Sequence, residues 1–268
     1  MHMHAGPDPR VERRLDALQA ARQAQEAGIR AIVLKSHEYP TTPLASILNQ
    51  VVTDVTIIGS ISLDFEVGGL NPYAVEASAK LGAKVVWMPT FSSANDMKKR
   101  GLSEEGISIL DEKGKLLPVV HDILDIIKRY NIILATGHIS VEESFTLVEA
   151  ACQAGLPKIV ITHPLLEELG ACLDLEQQQQ MVAKGAFIEH CFVNTMPLSG
   201  LHPEKIVEAV KIVGAEHCVL STDLGQAHNP TPAEGMRMAI ATMLLCQLTE
   251  KEVELMVKLN PARLLGLD

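Results

Sequence analysis

The chain alternates short, β-branched apolar runs with longer amphipathic stretches, a rhythm that predicts strands separated by helices and therefore parallel βαβ units. The runs are Ala31-Ile32-Val33-Leu34, Val55-Thr56-Ile57-Ile58, Lys84-Val85-Val86-Trp87, Ile132-Ile133-Leu134-Ala135, Lys158-Ile159-Val160-Ile161, Gly185-Ala186-Phe187-Ile188 and Cys218-Val219-Leu220-Ser221, with Met1 to His4 opening a set of eight. Their near-continuous apolar character suits a parallel sheet covered by helices. Helical patterning is expected over Val11 to Ala27, Val141 to Ala154 and Pro203 to Val213, and Gly28, Gly82, Gly155 and Gly214 stand where helices stop before the next strand. Eight such units predict an α/β fold, a (β/α)₈ TIM barrel formed as one domain over residues 1–268. An open doubly wound sheet is the alternative, but no G-x-G-x-x-G follows a strand to mark a dinucleotide site. The longest irregular stretch, Thr90 to about Leu116 after the fourth strand, reads either as a lid or specificity loop or as a surface excursion.

Length and composition narrow the picture. A chain of 268 residues matches one α/β barrel. No apolar run reaches the ~20 residues that cross a bilayer, and the opening Met1-His2-Met3-His4-Ala5-Gly6-Pro7 lacks the basic and apolar regions of a secretory signal. A cytoplasmic protein without membrane partners is therefore expected. The formal charge of −10 repels polyanions, which argues against nucleic acid and leaves a small molecule as the expected partner; a homo-oligomer is compatible with this composition. Arg10, Arg13 and Arg14 form the only dense basic cluster, either a site for a small anion or a solvated helix face. Five cysteines, widely spaced and never in a C-x-x-C pair, read as buried reduced thiols.

The candidate chemistry lies at strand ends, where a barrel gathers its catalytic groups. His2 and His4 are two apart, so the period of a strand turns both imidazoles to one face. His138 follows the fifth strand, His163 the sixth and Asp223 the eighth, and the five together form a candidate set for a divalent metal. Zinc is the first expectation from so many imidazoles, with manganese or iron as alternatives and one or two ions in all. Taken singly, each histidine reads as a hydrogen-bonded structural residue and Asp223 as a helix cap; His121, His202 and His217 are read as ordinary structure. Lys35 and His37 after the second strand, Asn71 after the third, Glu189 and His190 after the seventh, and His228 in the last loop are the candidates for substrate contacts or for support of the metal ligands.

Together, His2-Met3-His4, His138, His163, Ser221-Thr222-Asp223 and the closing Asn260-Pro261-Ala262-Arg263-Leu264-Leu265-Gly266-Leu267 resemble the amidohydrolase superfamily over nearly the whole chain. The resemblance implies a TIM-barrel enzyme in which His2, His4, His138, His163 and Asp223 bind one or two divalent ions. It also implies water activated by the metal, attack on an amide, lactone or ester bond, and Asp223 as the catalytic acid and base. Two features depart from the family. The fourth strand, ending Val86-Trp87-Met88-Pro89-Thr90, offers no bridging lysine or glutamate, and only Met1 precedes His-x-His, so a shortened first strand is expected. Lys35 is then carboxylated, as a bridge between two metals, or an ammonium that binds an anionic substrate group, or an ordinary surface or salt-bridged lysine. A weaker resemblance, through His-x-His and His37, is to the polymerase-and-histidinol-phosphatase (PHP) type of metallo-phosphoesterase. A metal-binding barrel without turnover is the non-enzyme alternative.

Overall fold

Each of the eight expected runs forms a strand in the computed structural model of the chain, which describes residues 1–102 and 105–267. The strands are β1 (Met3–His4), β2 (Ala31–Lys35), β3 (Thr56–Ile58), β4 (Ser60–Ser62), β5 (Val85–Trp87), β6 (Ile133–Ala135), β7 (Ile159–Thr162), β8 (Phe187–Cys191) and β9 (Cys218–Ser221). All neighbours pair in parallel, as β1-β2-β3 and β4-β5-β6-β7-β8-β9. β3 and β4 are two parts of one barrel strand interrupted at Gly59, where a Cβ would stand 2.4 Å from Thr42 Cα. The missing side chain lets the helix Thr42–Leu48 begin against the strand. Between last and first strands the ring is closed by backbone hydrogen bonds: Asp223 N–H donates to the His2 carbonyl and His4 N–H to the Leu224 carbonyl, each at 2.8 Å.

The pleat sorts side chains into two layers. Val33, Ile58, Val85, Trp87, Ile133, Ala135, Val160, Phe187 and Val219 point to the barrel axis and pack with Leu264 and Leu265. Their neighbours Ile61, Val86, Leu134, Ile161, Ile188 and Leu220 face outward to the helices, against residues such as Ile123, Leu124 and Ile127 of Pro118–Arg129. Burying each such side chain stabilises by about 1.5–3 kcal/mol. This arrangement leaves only the upper ends of the strands for polar chemistry.

Three expectations change in detail. The helix expected from Val11 begins at Ala17, because Asp16 caps it through a reciprocal box with Gln19. The stretch after β5 is not wholly irregular: Ala94–Lys99 is helical, capped by Ser93, while Ser103 and Glu104 within the expected loop lie outside the described residues. All five cysteines are free, but Cys172 is exposed and Cys152 and Cys246 are half-buried, so only Cys191 and Cys218 are buried thiols. No helix among the described residues is long and apolar enough to cross a membrane.

Candidate metal centre

Two imidazoles reach the centre from β1. His2 Nε2 lies 3.1 Å and His4 Nε2 3.0 Å from the same oxygen, Asp223 Oδ1, and all three side chains fall within the span that one cation could bridge. Asp223 takes φ 51° and His163 takes φ 28°, conformations that side-chain-bearing residues rarely adopt and that cluster at functional sites. His163 Nε2 lies 3.2 Å from His138 Nε2, and the ring centroids of His2 and His163 stand 6.4 Å apart, so the second histidine pair lies beside the first. His2 Nε2 is buried without a hydrogen-bond partner despite its nearness to Asp223. A buried imidazole nitrogen left without a partner, as at His2, is what a cation would satisfy, and the donor set, four imidazoles and a carboxylate, fits a divalent ion.

Buried carboxylates hold three of the rings. His2 Nδ1–H donates to Glu189 Oε2 at 3.1 Å, and Glu189 Oε1 accepts from Ser221 Oγ at 2.8 Å. Asp96 Oδ1 stands 3.2 Å from His138 Nδ1. His37 Nδ1–H donates to Thr90 Oγ1 at 2.6 Å, and Thr90 in turn donates to Asp64, which also accepts the backbone N–H of Thr90 and Ser92, each at 2.9 Å. For His2 and His37 the Nδ1 proton is thereby fixed and Nε2 is left without it, the tautomer a metal or substrate contact requires.

Burial sets the charges. It pushes His4 and His163 down to about 3 and His138 and His37 well below the ordinary imidazole value, so these rings are neutral at pH 7. Burial would raise the Asp223 carboxyl, but His2 and His4 beside it hold it well below the carboxylate range. His2 behaves differently: burial lowers it, yet Asp223 and Glu189 carry it above its ordinary value. Asp96, buried under Arg100, is pushed up to about 6 by desolvation.

Of the further candidates, Lys35, His37 and His228 line the 210 Å³ cavity into which His4, His138, His163 and Asp223 open. Glu189 is on the axis side of β8 but supports His2 instead of lining that cavity. His190, its neighbour, belongs to the opposite face with Ile188, and alternation turns it to the helices, away from the centre. Asn71 is also outside: it caps the helix Pro72–Lys80, accepting from Tyr73 and Ala74 N–H. Sequence reasoning passed over Asp64, Asp96 and Phe91, while Arg13, read there as part of a basic cluster, pairs with Asp8. Asp64 continues the inward series Ser60, Ser62, and that alternation could have found it. Phe91 stacks on His37 with centroids 3.9 Å apart, and Asn95 donates to the His138 and Gly170 carbonyls at 2.9 and 2.8 Å. Phe91 and Asn95 of the segment after β5 thus pack beside the centre.

The family model that matches the sequence is DUF6282, described as a family of unknown function, over residues 1–189. That span holds His2, His4, Lys35, His138, His163 and Glu189 and ends before Asp223. No curated protein matches the sequence. Among solved structures, a probable 2-pyrone-4,6-dicarboxylic acid hydrolase from Acinetobacter baumannii is 14% identical with a TM-score of 0.61, covering 99% of this chain and 97% of its own. An amidohydrolase from Pseudomonas aeruginosa is 14% identical with a TM-score of 0.56, over 92% of this chain and 82% of its own. A 2,6-dihydroxybenzoate decarboxylase from Rhizobium is 12% identical with a TM-score of 0.57, over 100% and 97%. At such identities the likeness is one of fold, and at that level the resemblance to the amidohydrolase superfamily is borne out.

Proposed function

The chain belongs to DUF6282, a family of unknown function, and we propose that it is a metal-dependent hydrolase acting on an amide, lactone or ester bond of a small molecule. The observation that carries this reading is the convergence of His2 and His4 Nε2 on one Asp223 oxygen, at 3.1 and 3.0 Å, beside the facing Nε2 atoms of His138 and His163. A divalent cation held by His2, His4, His138, His163 and Asp223, zinc first among the choices, would supply a Lewis acid that polarises the scissile bond and acidifies water. The residues do the rest. Asp223 is ionised, and with its side chain 13% exposed it has access to the cavity. Its carboxylate can therefore take a proton from water and return it to the leaving group. His37, its Nδ1 proton held by Thr90, keeps Nε2 for substrate, and Phe91, Leu166 and Met196 make an apolar wall that limits access of bulk water.

Protein purified without chelator is expected to hold at least one divalent ion per chain by elemental analysis, and the His2→Ala/His4→Ala double variant to lose it. The wild-type protein should also turn over at least one member of a panel of small lactones, amides and esters. Metal content near zero after supplementation, or unchanged in the double variant, would sink the reading. Turnover confined to phosphoesters would favour a PHP-type enzyme, and bound metal with no turnover on any of these bonds a barrel without catalysis.

Glu189 supplies a finer test. Glu189→Gln keeps the shape but replaces the anion that receives the His2 proton, and outer partners of this type typically affect metal affinity by about 10–100-fold. Competition with a chromogenic chelator is expected to show a loss in that range with little change in the thermal melt. Unaltered affinity would remove Glu189 from the centre.

A further inference from the structure

Lys35 is a buried amino group of the barrel interior, 2% exposed, which burial holds below the ordinary lysine value, and it makes no ion pair or hydrogen bond among the described residues. Its Nζ stands 5.1 Å from the centroid of the Trp87 ring, on the axis of the barrel, and its partner across the β1-β2 pairing is His4. The three carboxylates whose fields reach it are Asp223, Asp64 and Glu189, and each is engaged elsewhere. Asp223 Oδ1 faces His2 and His4, Asp64 accepts from Thr90 and Ser92, and Glu189 accepts from His2 and Ser221. Arg13, which lines the same cavity, is in a different state: Asp8 lies 2.6 Å from its guanidinium. An ammonium taken out of water without a counter-ion is costly, and here it borders open volume. A ligand anion in that volume would supply what the protein does not.

We propose that the small molecule received by this cavity carries a carboxylate, and that Lys35 Nζ is the group that binds it. The inference rests on the hydrolase reading for what happens to the molecule, but recognition of the carboxylate stands on Lys35 alone. At 210 Å³ the cavity exceeds the ~150 Å³ that accommodates benzene, so acids of the size of benzoate or glutarate fit. A carboxylate at Lys35 also places the rest of the molecule toward His138, His163 and Asp223, which line the same space.

The test is calorimetric titration of the metal-loaded protein, and of Lys35→Met and Lys35→Arg, with benzoate, glutarate and the matching uncharged benzamide and glutaramide, measuring metal content on the same samples. The wild-type protein is expected to bind at least one acid about ten-fold or more tightly than its amide, a difference that one buried charge-assisted contact supplies. Lys35→Met should lose this preference at unchanged metal content, and Lys35→Arg should keep part of it. Equal binding of acid and amide, absence of acid binding, or a preference that survives Lys35→Met overturns the proposal and leaves the hydrolase reading standing. Loss of metal from Lys35→Met overturns it as well, by placing Lys35 with the metal, as a carboxylated bridge would be. If Lys35→Met does not fold, the acid-against-amide comparison in the wild type still decides. A wild type without metal fails the hydrolase reading, while its preference for acids remains measurable.

Discussion

Asp223→Asn is expected to lower turnover by about 10²–10⁴-fold, the range that a positioned acid and base contributes, while circular dichroism and the thermal melt stay close to those of the parent. The amide nearly matches the carboxylate in shape, so packing against His2 and His4 persists, but it cannot accept a proton. The direction of the Asp223 shift also predicts a pH dependence. A carboxyl held below its unfolded value by His2 and His4 contributes stability that is present above the unfolded pKa and lost as pH falls through the folded one. Asp223→Asn should therefore weaken the dependence of stability on pH on the acid side and leave the neutral range less affected. Collapse of the fold at neutral pH would make the residue's role structural and withdraw its catalytic assignment.

Gly137→Ala should be strongly destabilising, by about 3 kcal/mol or more, through forced left-handed backbone and overpacking together. Gly137 takes φ 61° between β6 and His138, and a Cβ there would meet the Met88 carbonyl oxygen at 2.3 Å and that of Pro89 at 2.8 Å. Those atoms cannot swing aside, because His138 N–H donates to Pro89 O at 2.9 Å and Met88 N–H to Ala135 O at 2.9 Å. Calorimetry should show a melting point lowered by about 6–12 °C, from the usual 2–4 °C per kcal/mol in a chain of this size. Displacement of His138 should weaken metal retention at the same time. A melt within a degree or two of the parent would contradict the account of this turn.

The strands were legible because burial on both faces writes a continuous apolar signature, and the histidines because His2 and His4 alternate within one such run and His138 and His163 follow others within three residues. Distances through space were not. Asp96 comes from a segment whose sequence, Ser92-Ser93-Ala94-Asn95-Asp96, reads as loop, and only tertiary packing brings it to His138. Arg13 likewise falls before the helix Ala17–Glu26, where periodicity suggested helix from Val11; a cap at Asp16 overrode it. Asn71 was misplaced because a polar residue after a strand looks the same whether it faces substrate or caps the next helix, and the latter role won through Tyr73 and Ala74. His190 could have been placed from sequence: if Glu189 points to the axis, a strand turns its neighbour outward.

The seam between β9 and β1 ties assembly of the centre to completion of the ring. His2 and His4 lie on one side of it and Asp223 on the other, separated by more than two hundred residues of chain and joined at the backbone by two hydrogen bonds of 2.8 Å. These side chains cannot meet until the first and last strands have found each other, the contact of greatest sequence separation and hence among the slowest to form. A cation gripping both sides would act as a clasp, adding its binding free energy to whichever state has the ring shut. Amide exchange at His4 and Asp223, which reports local opening of the seam, should slow when metal is added, while amides of β6 and β7 on the far side of the barrel respond less. Metal affinity would then measure how tightly the barrel is fastened as well as how well the ligands are placed.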